Sequence, residues 1–195
     1  HPCHLQRAGI SADPSGRVGV TLHLPQAAVG ADLRLTVIDP TGARVLHHDL
    51  SATSTTTTTT LTLDAPRLWG PEHPDLYRLR VDILRGAVLD RTEHSFGFRS
   101  FETRDGQFFL NGEPYYMRAA LDQDYYPEGI CTPPSLAFLE DQLRKAKTLG
   151  LNMLRCHIKV PDPRYYEVAD RLGLLIWTEI PNIETFSPDA SGRLR

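Results

Sequence analysis

Two hydrophobic rhythms divide the chain near residue 100. Ahead of it, Val18, Val20, Leu22 and Leu24 alternate with small or polar residues. Leu33, Leu35 and Val37 do the same, and so do Tyr77, Leu79, Val81 and Ile83. A period of two puts one face of a strand in a core and the other in water, the habit of antiparallel sheets. Turn signals separate the runs: Asp13-Pro14-Ser15-Gly16, Asp39-Pro40-Thr41-Gly42 and Arg85-Gly86. Short strands at this spacing predict a β-sandwich over residues 1–100. The segment from Thr53 to Thr60 is nearly all Thr. Its β-branching permits a strand that Leu61 and Leu63 continue, while its low complexity equally permits an edge strand or a frayed loop.

Beyond residue 100 the rhythm changes. Asp105-Gly106 and Asn111-Gly112 bracket Phe108, Phe109 and Leu110 as tight turns around a short strand. A buried strand is expected over Tyr116–Leu121. Thr132, Pro133 and Pro134 supply an N-cap and a helix start, and Leu136, Leu139, Leu143, Ala146 and Leu149 recur on one helical face. Gly150 closes that helix. A second strand follows over Asn152–Ile158. Asp162-Pro163 opens a second helix with Tyr166, Ala169 and Leu172 on one face, and Gly173 ends it. Leu174–Trp177 reads as a third strand, apolar on both faces. Strands of that kind joined by helices are expected to be parallel and covered by those helices. No Gly-rich phosphate loop follows any strand, which disfavours a nucleotide-binding fold. The alternative is the first three β/α units of a (β/α)₈ TIM barrel over residues 101–195. A whole barrel needs eight strands, so the sequence is expected to be cut from a longer chain. Three barrel strands would leave unpaired edges, and with them a tendency towards a homo-oligomer.

Composition narrows the function. With 21 basic and 24 acidic residues the formal net charge is −3. There is neither the basic excess nor the basic stripe of a nucleic-acid partner. No apolar run is long enough to span a bilayer, so no membrane partner is expected. The cysteines Cys3, Cys131 and Cys156 are odd in number and far apart, which fits a reducing or neutral compartment such as the cytoplasm. The opening His1-Pro2-Cys3 reads as the middle of a longer polypeptide and hides the true localisation.

Four segments carry a family resemblance. Leu68-Trp69-Gly70-Pro71-Glu72-His73-Pro74-Asp75-Leu76-Tyr77 resembles the end of the immunoglobulin-like sandwich of glycoside hydrolase family 2, the family of β-galactosidases, β-glucuronidases and β-mannosidases. Phe96-Gly97-Phe98-Arg99, followed by Phe109-Leu110-Asn111-Gly112-Glu113-Pro114, is similar to that family's entry into its catalytic barrel. Asn152, Leu154, Arg155, Cys156, Tyr165, Tyr166, Asp170 and Gly173 fall at the spacings of its signature, and Glu179 with Asn182-Ile183-Glu184-Thr185 resembles the segment after its third strand. The resemblance implies a carbohydrate substrate and a retaining two-carboxylate mechanism. Both catalytic Glu residues are then expected beyond Arg195, with the fragment itself inactive. Three departures stand out. Ile158, Lys159 and Val160 replace the family's His-Tyr-Pro, Leu121-Asp122-Gln123-Asp124 replaces its Asn-Arg-His-Glu, and Phe186 replaces a His that binds magnesium in β-galactosidases. Glu184 is the one metal-ligand candidate retained, and no cofactor is expected. The departures leave a second class open, a non-catalytic carbohydrate-binding or interaction protein on the same scaffold.

Barrel active sites gather at the C-terminal ends of strands, which singles out Asp122, Asp124, Arg155, His157, Glu179 and Asn182. The aspartates are expected either to bond sugar hydroxyls or to sit in a solvated loop. Arg155, flanked by Leu154 and Cys156, is expected to be buried and to need an anionic partner. Glu179 at the next strand end is the natural one, for an ion pair that is either pocket-orienting or purely structural. His157 reads more readily as a core or loop histidine than as a base, and Cys156 as a small buried hydrophobe. Trp177 reads as core, with sugar stacking as the other option. Tyr125 and Tyr126, in a loop, are the better stacking candidates.

Overall fold

A computed structural model describes residues 2–181, which fall into two compact units, His1–Tyr116 and Met117–Arg195. The first unit opens with seven strands: β1 (Arg7–Ala12), β2 (Arg17–His23), β3 (Asp32–Ile38), β4 (Arg44–Ser51), β5 (Thr56–Thr62), β6 (Tyr77–Arg85) and β7 (Ala87–Phe96). They form two antiparallel sheets, in the orders β1-β2-β5 and β4-β3-β6-β7. The alternating apolar residues do the packing. Val18, Val20, Leu22 and Leu61 from one sheet share a core with Leu33, Leu35, Val37, Leu79, Val81 and Ile83 from the other. Full burial of each such side chain is worth about 1.5–3 kcal/mol relative to exposure. The Thr-rich run settles as the edge strand β5, hydrogen-bonded along its length to β2.

The segments on either side of β6 and β7 interlock. Leu68 bridges Phe98, and the Trp69 N–H donates to the Phe98 carbonyl at 2.9 Å. A Cβ at Gly97 would stand 2.9 Å from the Trp69 Cβ, so only glycine lets the two strands approach with the indole buried between them. Tyr77, Phe96 and Phe98 pack their rings at 4.9–5.8 Å, and the Tyr77 hydroxyl accepts the Arg67 N–H at 2.9 Å.

Strands β8 (Phe101–Arg104), β9 (Gln107–Leu110) and β10 (Glu113–Pro114) add a small antiparallel sheet. Two-residue turns join them, with positive φ at Asp105, Gly106, Asn111 and Gly112, the type I′ geometry that Asp-Gly and Asn-Gly favour. Residues 101–116 group with the first unit, whereas the change of rhythm suggested a boundary at 100. Asn111 is the physical reason. Its Oδ1 accepts the Ser100 N–H and its Nδ2 donates to the Trp69 carbonyl, each at 3.0 Å.

The second unit contains β11 (Ala119–Asp122), α1 (Leu136–Thr148), β12 (Met153–Cys156), α2 (Pro163–Leu172) and β13 (Leu175–Thr178). The strands are parallel and lie in consecutive order, β11-β12-β13. Strand β11 starts three residues later than the rhythm suggested, and Tyr116 is exposed. Helix α1 is capped by Ser135, whose hydroxyl accepts the Phe138 N–H at 3.1 Å, rather than by Thr132. Leu139 and Leu143 of its stripe are buried, while Leu136 and Leu149 at its ends are exposed. Helix α2 begins as expected, with the Asp162 carboxylate accepting the Arg164 N–H at 2.9 Å. The buried face of α2 is Tyr165, Val168 and Ala169, with Leu172 packed against it; of the expected stripe Ala169 and Leu172 face the core, and Tyr165 takes the place of Tyr166. Adjacent tyrosines lie about 100° apart on a helix, and composition does not say which one points inward. Both helices pack with Leu154 and Cys156 in one cluster. The opposite strand face is open at Leu121, Arg155 and Trp177, which share one register row. The core role expected for Trp177 is not met: it is 52% exposed, on the strand face opposite the one that packs with α1 and α2. No described helix is long and apolar enough to cross a membrane.

Candidate functional site

The expected residues converge where β11, β12 and β13 end, on two sides of the sheet. Asp122 lies in the row of Cys156 and Thr178, on the side of the helices. Its Oδ2 accepts the Tyr165 hydroxyl of α2 at 2.6 Å, and its Oδ1 accepts the Asp124 N–H at 2.7 Å. That turn puts Asp124 at φ +47°, a left-handed conformation that aspartate tolerates better than most residues. Asp124 is 3% exposed, and its Oδ1 accepts the buried Tyr126 hydroxyl at 2.5 Å. Lys159 reaches back from beyond β12 to donate to the Asp124 carbonyl, with its Nζ 3.4 Å from Asp124 Oδ2. The solvated-loop reading of the two aspartates therefore fails. Their oxygens already bond hydroxyls, but those of tyrosines.

The network has an electrostatic signature. Burial raises the Tyr165 phenol well above its ordinary range, with the Asp122 charge acting in the same direction. Burial likewise raises Tyr126, followed by its bond to Asp124. Both phenols stay protonated and donate. Burial also pushes the Cys156 thiol up to about 11, as befits an inert buried hydrophobe.

On the open side, Arg155 Nε donates to Glu179 Oε1 at 2.5 Å, and its Nη2 converges on the same oxygen. Glu179 Oε2 accepts the Ile158 N–H at 2.8 Å and lies 3.3 Å from His157 Nδ1. The Ile158 amide first, and then Arg155, hold the Glu179 carboxyl below its usual range. The Arg155 side chain is 41% exposed rather than buried, with its guanidinium 5.7 Å from the Trp177 ring centroid. The fork-to-fork pairing a guanidinium can offer is replaced by two nitrogens on one oxygen, because a backbone amide takes the other. Glu179 is thus a hub for Arg155, His157 and the chain at Ile158.

Tyr125 and Tyr126 part company. Tyr126 is buried and anchored, with mutual 2.9 Å backbone bonds to Ile130, whereas Tyr125 is 69% exposed. Sequence reasoning did not assign Tyr165 and Lys159 to the site, since their partners lie 43 and 35 positions away. Asn182 and Glu184 lie outside the described residues. Among the described residues no three His, Cys, Asp or Glu side chains are grouped as metal ligands would be.

Similarities to known proteins agree with this architecture. The sequence model described as Glycosyl hydrolases family 2 matches residues 6–99. A putative β-glucuronidase of Formosa agariphila is 37% identical over 118 residues, covering 60% of this chain and 14% of that protein. A β-galactosidase of Aeromonas hydrophila is 31% identical over 195 residues, covering 92% of this chain and 18% of that protein. The chain thus spans less than a fifth of these curated relatives. Among solved structures, the apo β-glucuronidase 3 of Bacteroides uniformis superposes with a TM-score of 0.82 at 23% identity, covering 98% of this chain and 25% of that one. At that identity the likeness speaks to the fold.

Proposed function

We propose, for a chain that belongs to glycosyl hydrolases family 2, that it contributes an immunoglobulin-like sandwich and the opening β/α units of a catalytic (β/α)₈ barrel to a retaining β-glycosidase. The boundary we assign follows β10, so that the hairpins of residues 101–116 belong with the sandwich. The observation that carries the barrel reading is the winding. Three parallel strands stand in consecutive order with both connecting helices packed in one cluster. Right-handed crossovers that keep stepping the same way put their helices on one face and curl a sheet towards closure, whereas a doubly wound sheet reverses and covers both faces.

The strand-end chemistry supports a positioning role for this segment. A retaining glycosidase needs an acid/base and a nucleophile about 5–5.5 Å apart. Asp122 is bonded to Tyr165, Asp124 to Tyr126 and Glu179 to Arg155. Carboxylates so engaged hold a pocket in shape, so the reacting pair is assigned to other strands of the parent. Arg155, Glu179 and His157 form the wall they would face. The names of the relatives point to β-galactosides and β-glucuronides as the substrates to try.

The test is hydrolysis of para-nitrophenyl β-galactoside, β-glucuronide and β-mannoside by the purified full-length parent, with the product anomer read by NMR. Turnover of one of them with retained configuration is expected. Binding of sugar with no turnover would establish the non-catalytic alternative.

A further inference from the structure

We infer that Lys159 is a positioning residue that fixes the Tyr125 ring at the strand ends as a stacking platform for the apolar face of a sugar; this rests on the carbohydrate reading above. The argument starts from the contrast between neighbours. Tyr126 is 3% exposed and bonded at both its hydroxyl and its backbone, while Tyr125 next to it turns 69% of its surface to water.

The ring does not hang from a loose loop. The Asp124 N–H is tied to Asp122, its carboxylate to Tyr126, and its carbonyl to Lys159 Nζ. The left-handed turn at Asp124 therefore fixes the direction in which the next residue leaves the chain. The same Lys159 ammonium then stands 5.5 Å from the Tyr125 ring centroid. One cation thus holds both the backbone before Tyr125 and the ring itself. Among the described residues the other carboxylate oxygen of Asp124, Oδ2, is buried without a hydrogen bond, with the Lys159 ammonium 3.4 Å away. Losing the ammonium would leave that oxygen uncompensated and release the turn. A ring held in advance loses little conformational freedom when a sugar settles on it, and that saving appears as affinity rather than as rate. The side chains of Arg155 and His157 gather on Glu179 instead, while the His157 N–H ties that cluster to the turn through the Asp122 carbonyl at 3.0 Å.

The experiment measures the full-length parent in two ways: hydrolysis of para-nitrophenyl β-galactoside and β-glucuronide, and equilibrium binding of the matching non-hydrolysable thioglycosides by calorimetry. Tyr125→Ala is expected to raise both KM and thioglycoside Kd about tenfold with kcat within about threefold, and Tyr125→Phe to bind like wild type. Lys159→Met should reproduce the Tyr125→Ala effect, and Lys159→Arg should largely restore binding. Because lysine acts through the ring, the double variant should bind no more weakly than Tyr125→Ala alone. Thioglycoside Kd within twofold of wild type in Tyr125→Ala, or effects of the two substitutions that multiply, would overturn the inference. Tyr125→Ala alters an exposed side chain, so it reads the platform even if Lys159→Met does not fold. A wild-type parent that binds thioglycoside in a Tyr125-dependent way yet hydrolyses nothing removes the glycosidase reading and upholds the platform. One that binds neither thioglycoside removes both.

Discussion

On the outer face of the four-stranded sheet, Arg34 stands directly opposite Asp49, Arg80 opposite Glu93, and Arg91 opposite Asp82, each pair in ion-pair contact across an antiparallel ladder. At the ends of the parallel strands, by contrast, Asp122 and Asp124 turn inward onto tyrosine hydroxyls, and Glu179 draws an arginine, a histidine and a backbone amide to itself. The sandwich pairs its charges locally, strand to strand, over a core of aliphatic and aromatic side chains. Such pairs tune register and solubility while the core supplies the stability. The strand-end cluster spends burial on polar groups, which adds less net stability but fixes one arrangement of side chains. The difference separates scaffold from site without reference to any relative.

That contrast can be broken first at its scaffold end. Leu35 is fully buried between the two sheets. Leu35→Ala should destabilise the 195-residue chain by about 2–5 kcal/mol, through lost burial and the cavity left behind. In the folded parent it should leave KM unchanged. A urea-unfolding curve within about 0.5 kcal/mol of wild type would mean that the sheets do not share the core described here.

A sharper comparison sets one arginine–carboxylate pair against another. Arg34 and Asp49 are both about half exposed, and His47 adds a contact to the same carboxylate. Glu179 is only 18% exposed and holds three partners. Arg155→Met should therefore lower the melting midpoint by about 3–5 °C and reduce turnover in the parent, and Arg34→Met should shift it by no more than about 1 °C. Equal shifts would erase the distinction between surface ladder and strand-end hub.

How much of this was legible in the sequence follows from the range of the interactions. The alternation at Val18–Leu24 and Tyr77–Ile83 depends only on neighbours two apart, and both stretches fold as read. Asp162-Pro163 and Gly173 bracket α2 for equally local reasons, N-cap and left-handed C-terminal residue. The meeting of Arg155 with Glu179 could be anticipated because parallel strand ends bring such positions together. Asp124 could not be placed. Asp122, Gln123 and Tyr125 surround it with polar loop chemistry, and its charged partner is Lys159, a residue supplied by the next β/α unit. Trp177 was misplaced because a short apolar strand carries no mark of which face its helices will cover.

The smallest expected effect tests the hub through protons. The Ile158 amide and Arg155 hold the folded Glu179 carboxyl below its ordinary value, whereas in the unfolded chain it titrates near the usual glutamate value of about 4.3. Between those two values the unfolded state binds more protons than the folded one, so stability rises with pH there. The contribution of Glu179 is therefore complete above the unfolded value and fades as pH falls through the lowered folded one. Glu179→Gln keeps the side-chain volume and removes the titration. The difference in urea midpoint between wild type and Glu179→Gln should be constant from pH 7 to about pH 5 and shrink below about pH 4. Subtraction cancels the other carboxylates, including Asp162, which Arg164 holds at about 2. A difference that stays flat through the acid range would show that Glu179 gains nothing in the fold from carrying its charge, and that the hub is geometry without electrostatics.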